Sequence, residues 1–163
     1  NGIMALLVVH NALSCFPAGT KITIQDGEKN IEDIEIGDFV LSYNEESKET
    51  EYKKVIELKQ PIHNDIVRYT LASGDTLEST FDHPIYVNGL NLASFIPEWT
   101  NHRYNIGKEV SKIKIGDIVK LDNGSYSAIS KIEALEPVDT QTYIFTVEDN
   151  HNFYANGILV HNK

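Results

Sequence analysis

The chain has one cysteine, one tryptophan and one methionine in 163 residues. A single thiol, Cys15, excludes an internal disulfide framework and any cysteine-rich zinc site. Basic residues are also scarce: 14 Lys and Arg stand against 24 Asp and Glu, giving a net charge of −10. So acidic a chain offers no electrostatic footprint for phosphates, and nucleic acid is not an expected partner. No apolar run approaches the ~20 residues of a membrane span. What remains is 41% hydrophobic and 23% charged, the balance of a compact soluble domain long enough to bury a sizeable core. It is expected to be a monomer with no membrane partner.

The run Ile3 to Val9 stands shortly before Ser14-Cys15. A signal peptide with a lipid-modified cysteine has a comparable outline. Here, however, no basic region precedes the run, and Ala12 occupies the place where leucine is preferred. Residues 1–14 are therefore read as upstream flanking polypeptide.

The remaining pattern is almost entirely that of strands. Alternation at Lys21–Ile24 meets a turn at Asp26-Gly27, and Ile66–Leu71 meets Ser73-Gly74. Phe39–Leu41, Val55–Leu58, Pro84–Val87, Val119–Leu121, Tyr143–Val147 and Asn152–Ala155 are similar runs, several of them ending at Asn-Gly or Asp-Asn-Gly. Short strands at this spacing, punctuated by turn pairs, indicate an all-β domain. Asn91 to Val110 has no clean period and is expected to hold a short helix or a mobile loop.

Two halves of the chain repeat one another. Ile34-Glu35-Ile36-Gly37-Asp38-Phe39-Val40 matches Ile113-Lys114-Ile115-Gly116-Asp117-Ile118-Val119. Lys54–Glu57 loosely matches Lys131–Glu133, and Asp82–Gly89 matches Asn150–Gly157. Single blocks of this kind are common turns, but three in the same order imply a duplicated β unit with pseudo-two-fold symmetry. Each copy then carries one histidine at an equivalent place, His83 and His151, and symmetry can bring the two toward one centre.

Few residues have chemical potential. A lone cysteine is more often a buried apolar filler than a nucleophile. His83 follows Thr80 by three in Thr80-Phe81-Asp82-His83-Pro84, and Val160-His161-Asn162 stands before Lys163. Alone, each would be an ordinary core or tail feature. Together, Cys15-Phe16-Pro17-Ala18-Gly19-Thr20, the Thr80 to Pro84 block, Phe145–Phe153 and Asn156–Asn162 resemble, in order, the self-processing superfamily of inteins and Hedgehog-type domains. The resemblance is to the bacterial intein-like type, which ends in His-Asn without a following nucleophile. It implies the Hint fold, a compact horseshoe-like β domain spanning residues 15–162, with residue 163 as downstream flank.

The resemblance also implies a chemistry at each end. At the front, Cys15 attacks the Ser14 carbonyl through a five-membered ring and turns the amide into a thioester. His83 would protonate the leaving nitrogen, and Thr80 would orient the scissile amide, with Asp82 in support. At the back, the Asn162 side chain closes a succinimide and releases the chain after it, with His161 and His151 assisting by hydrogen bonding and proton transfer. Two departures fall on the joining step. Lys163 stands where a splicing intein has Cys, Ser or Thr, and Ile144 stands where many have Asp. Cleavage at one or both ends, with inefficient joining, is therefore expected, as single-turnover chemistry within the chain. The expected partners are the chain's own flanks (exteins) and small thiols or amines that accept the acyl group, with no cofactor and no metal. Two alternatives stand beside this. A Hedgehog-type domain, passing the thioester to an external nucleophile, has no use for the terminal His-Asn. A non-catalytic β binding module would keep its cysteine and histidines for structure alone.

Overall fold

The computed structural model describes residues 13–162, so the apolar run at residues 3–9 and Lys163 lie outside the described residues. Sixteen strands, one α-helix and one 3-10 helix (Ile31–Asp33) follow in order among them. They are β1 (Phe16–Pro17), β2 (Lys21–Ile24), β3 (Gly27–Asn30), β4 (Phe39–Asn44), β5 (Glu49–Lys59), β6 (Ile62–His63), β7 (Ile66–Leu71) and β8 (Thr76–Thr80). Then come β9 (Ile85–Val87), β10 (Asn91–Ser94), helix α1 (Pro97–Arg103), β11 (Val110–Lys112), β12 (Ile118–Lys120), β13 (Tyr126–Ala134), β14 (Thr140–Val147), β15 (Asn152–Ala155) and β16 (Ile158–His161). The fold is all-β, as the turn-punctuated runs imply, and its two sheets curl into half-barrels. One sheet runs β1-β14-β5-β4-β2-β15-β16-β9-β10-β11, with β3 beside β2 and β6 beside β14; the other runs β12-β13-β7-β8.

The duplication is visible atom by atom. Gly37 and Gly116 both sit at φ +96°, a left-handed conformation that glycine adopts without steric cost. The Gly37 N–H donates to the Val55 carbonyl, and Gly116 N–H to the Ile129 carbonyl, each at 2.8 Å. Asp38 and Asp117 accept the backbone N–H three residues earlier, at 2.8 and 2.9 Å, closing the same turn. Val55 is thus the partner of Ile129. This corrects the loose match of Lys54–Glu57 to Lys131–Glu133, which runs three residues too far. An irregularity in β13 between Ile129 and Lys131 breaks the alternation there and hides the true register. The Asn-Gly turns repeat as well, with Asn88 and Asn156 at φ +51° and +49°. Each asparagine side chain accepts the N–H that opens a strand of the other half, Ile118 at 3.0 Å and Lys21 at 2.8 Å.

The core lies between the curled sheets. Phe16, Ile22, Val40, Val55, Phe145, Phe153 and Val160 are all buried in one cluster that draws on both halves. The segment without clean period, Asn91–Val110, holds β10 and α1 and ends where β11 begins. Pro97 at the first turn of α1 suits a position whose N–H has no partner within the helix. Asn101 then ties the helix to β11, donating to the Val110 carbonyl and accepting its N–H.

A substitution tests the duplicated turn. A Cβ built on Gly37 or Gly116 meets nothing within 4 Å, so alanine there costs conformational energy alone. Gly37→Ala and Gly116→Ala are each expected to destabilise by ~1–2 kcal/mol in chemical denaturation, with similar values for the two. Unequal losses would show that the two turns are not mechanically equivalent.

Candidate functional site

Phe16 anchors the front of the domain. It is fully buried, pairs with Tyr143 of β14, and packs its ring 4.2 Å from His83 and 5.8 Å from Phe153. This fixes Cys15, whose N–H donates to Thr80 Oγ1 at 3.0 Å and whose carbonyl accepts the Thr80 N–H at 2.9 Å. The amide expected to break is therefore gripped by the last residue of β8. The thiol is 0% exposed and donates to the Leu13 carbonyl at 3.4 Å. Burial lifts it well above the ordinary thiol range, and the charges of Asp82 and Asp65 add to that, while the Thr142 hydroxyl opposes it.

His83 lies under this bond, wholly buried. Burial first, and the nearby His161 second, push its pKa from the ordinary 6.5 down to about 3. The backbones of Ser14 and His161 pull the other way, although neither ring nitrogen makes a well-aligned hydrogen bond. At neutral pH Cys15 is consequently a thiol and His83 a neutral imidazole.

The back end converges on the same place. Asn162 is 1% exposed, not a solvated tail. Its Nδ2 donates to the Phe145 carbonyl of β14 at 2.6 Å, and its N–H donates to the His151 carbonyl at 2.9 Å. The His161 N–H donates to the Pro84 carbonyl at 3.1 Å, next to His83. The two histidines of the repeat do not end alike. His83 is buried, while His151 is exposed at φ +51° and reaches the site from solvent. A cavity of about 220 Å³ joins the ends, lined by Leu13, Ser14, Tyr104, Ile144, Phe145 and His151 among others. Ile144 sits between the Phe16 and Asn162 attachments, half-buried against the core.

Residues 21–163 match the pretoxin HINT domain family. The chain belongs to that family. Cys15 precedes the matched span by six positions and lies outside it. The solved structures agree on the fold. A bacterial intein-like domain from Clostridium thermocellum is 28% identical, with a TM-score of 0.74, covering 91% of this chain and 98% of its own. The gp41-1 intein is 25% identical with a TM-score of 0.66 over 91% and 98% of the two chains. A DnaB intein from Synechocystis sp. PCC 6803, 17% identical, shares the fold at a TM-score of 0.69 over 92% and 99%. No curated protein matches. As a Hint domain, the chain is a self-processing domain.

Several participants carry no sequence signal. The Leu13, Phe145 and His151 carbonyls act through the backbone, which no motif records. Thr142 is one more threonine on an alternating strand. Arg103 and Tyr104 come from the segment without a period, and both bond Asp82 Oδ2 at 3.1 Å. Among the described residues, no group of three or more His, Cys, Asp and Glu side chains is arranged to hold a metal ion.

The buried His83 has a consequence for stability. Its folded pKa lies below its unfolded one, so the unfolded chain binds the extra proton between about pH 6.5 and 3. Stability from this group is full above pH 6.5 and is lost as pH falls toward 3. The unfolding midpoint of the parent should fall more steeply over pH 6.5 to 4.5 than that of His83→Gln. Parallel curves would mean that His83 is not held neutral.

Proposed function

We propose that this Hint domain cleaves its own chain at Ser14–Cys15 and after Asn162, joining the flanks only inefficiently. The observation that carries the reading is that one strand, β14, holds both ends, with Phe16 at Tyr143 and the Asn162 amide at Phe145.

At the front, Cys15 Sγ attacks the Ser14 carbonyl carbon, and the Ser14–Cys15 C–N bond breaks as the C–S bond forms. The thiol proton passes to neutral His83 and from it to the departing nitrogen, so no proton is gained or lost overall. Thr80 holds the Cys15 N–H, which turns the nitrogen lone pair to the opposite face as the nitrogen becomes tetrahedral. At the back, Asn162 Nδ2 attacks its own backbone carbonyl carbon, and the bond to residue 163 breaks. The 2.6 Å contact to Phe145 restricts the amide before reaction, and a proton lost from Nδ2 ends on the released α-amine. His161 stabilises the carbonyl under attack, and His151, open to solvent, serves the proton transfers.

Lys163 offers no side-chain nucleophile to take the acyl group, and Ile144 lines the space between the ends without a carboxylate. The Ser14 thioester then resolves with water, a small thiol or amine, or the freed α-amine of Lys163. The flanks of the chain are thus the substrates, and no metal, cofactor, nucleic acid or second subunit enters the proposed chemistry. The burial of Asn162, with its amide fixed, favours this over Hedgehog-type transfer, which does not need it.

The test is a precursor with distinguishable flanking domains, treated with saturating hydroxylamine. Because the reactive state has the protonation of the resting one, the rate at Ser14–Cys15 should change less than ~threefold between pH 6.5 and 8.5. A tenfold rise per pH unit would mean that free thiolate is the attacking form. Cys15→Ala should abolish this cleavage and leave release after Asn162 intact. Persistent front cleavage in that variant would overturn the assignment.

A further inference from the structure

Asp82 is 0% exposed, yet every oxygen it owns is occupied. Oδ1 accepts the Thr80 hydroxyl at 2.9 Å. Oδ2 accepts Arg103 Nη1 and the Tyr104 hydroxyl, each at 3.1 Å, and the backbone carbonyl accepts Thr100 Oγ1 at 2.7 Å. Three of these donors come from α1 and its end. The helix is itself braced, with the Arg103 guanidinium 4.6 Å over the Trp99 ring and Trp99 against Phe81.

This chain of bonds has a direction. A carboxylate only accepts, so the Thr80 hydroxyl must spend its one proton on Asp82. Its oxygen is then left only to accept, and what it accepts is the Cys15 N–H. Remove the donors on Oδ2 and the carboxylate is free to turn, leaving the Thr80 hydroxyl free to rotate its proton toward Cys15. Burial and the Asp82 charge keep the Tyr104 phenol protonated, so it remains a donor.

We infer that Arg103 and Tyr104 are positioning residues for the front reaction, acting through Asp82 to lock Thr80 as the acceptor for the scissile amide. This rests on the front-cleavage reading, and it assigns a task to α1. Tyr104 also meets the Ser14 side chain, whereas the bonds that make the clamp, from Arg103 and Tyr104 to Asp82, reach Cys15 only through Thr80. They determine how often Thr80 presents a lone pair to Cys15, and hence how often the nitrogen is aligned for departure.

The experiment compares the parent precursor with Tyr104→Phe, Arg103→Lys, and Arg103→Met combined with Tyr104→Phe. Two readouts are taken: hydroxylamine cleavage at Ser14–Cys15, and release after Asn162 in a Cys15→Ala background. The double variant should lose ~10–100-fold at the front, the order expected for misalignment of a reacting group. Release at the back should stay within twofold, and Arg103→Lys should recover part of the front rate. Equal slowing at both ends, or an unchanged front rate, overturns the inference. A third readout separates it from the front-cleavage reading. Amide hydrogen exchange at Cys15, measured without added nucleophile, should quicken about tenfold or more in the double variant, while exchange at core Val160 stays unchanged. If the parent does not cleave at all, the functional reading fails, and this exchange still decides the clamp. Exchange unchanged at Cys15, or raised equally at Val160, overturns it.

Discussion

Strand β14 receives β1 through the Phe16–Tyr143 pair and the Asn162 amide through the Phe145 carbonyl, within three consecutive residues. Cys15 and Asn162 lie 147 positions apart in sequence, and this strand is what brings the two ends together. Its hold depends on burial: Phe16, Phe145 and Phe153 are all buried, with Phe145 and Phe153 4.3 Å apart. Closing so long a loop carries a chain-entropy cost that grows slowly with length and is offset by apolar contacts spread over both halves of the core.

The same burial sets the chemistry. Cys15 and His83 have no exposure, so neither ionises readily and both rest uncharged. A site of this kind stores no free thiolate for stray electrophiles. The proposed cleavage therefore couples proton transfer to bond exchange within one enclosure. The back end follows a related rule, since Asn162 is held by backbone carbonyls of Phe145 and His151 that have no charge to offer. Orientation, more than electrostatic force, is what the domain supplies at that end.

Much of this was legible in the residues. Asn-Gly and Gly-Asp turns announce themselves because few other residues tolerate left-handed backbone, and their order exposed the duplication. The separated Cys15, Thr80–His83 and His161-Asn162 blocks do meet in space. Other features were hidden for physical reasons. The extra residue in β13 between Ile129 and Lys131 interrupts the alternation that would have marked Ile129 as the counterpart of Val55. Thr76–Thr80 carries only one apolar residue, Leu77, and is a strand because it pairs with β7 and buries Leu77 and Ser79. The symmetry suggested two like histidines, but loop conformation left His151 in solvent while Phe16 and its neighbours enclosed His83. The α1 residues around Asp82 follow no period, since a seven-residue helix is too short to show one.

Intact-mass spectrometry of the unmutated precursor, carrying a distinguishable folded domain on each side, tests the central claim most directly. Aliquots are denatured over time in buffer with and without a small thiol. The account predicts fragments whose masses place the breaks between Ser14 and Cys15 and after Asn162, with the thiol accelerating the first and a terminal succinimide appearing at the second. A precursor that keeps its full mass, or breaks at other bonds, would contradict it.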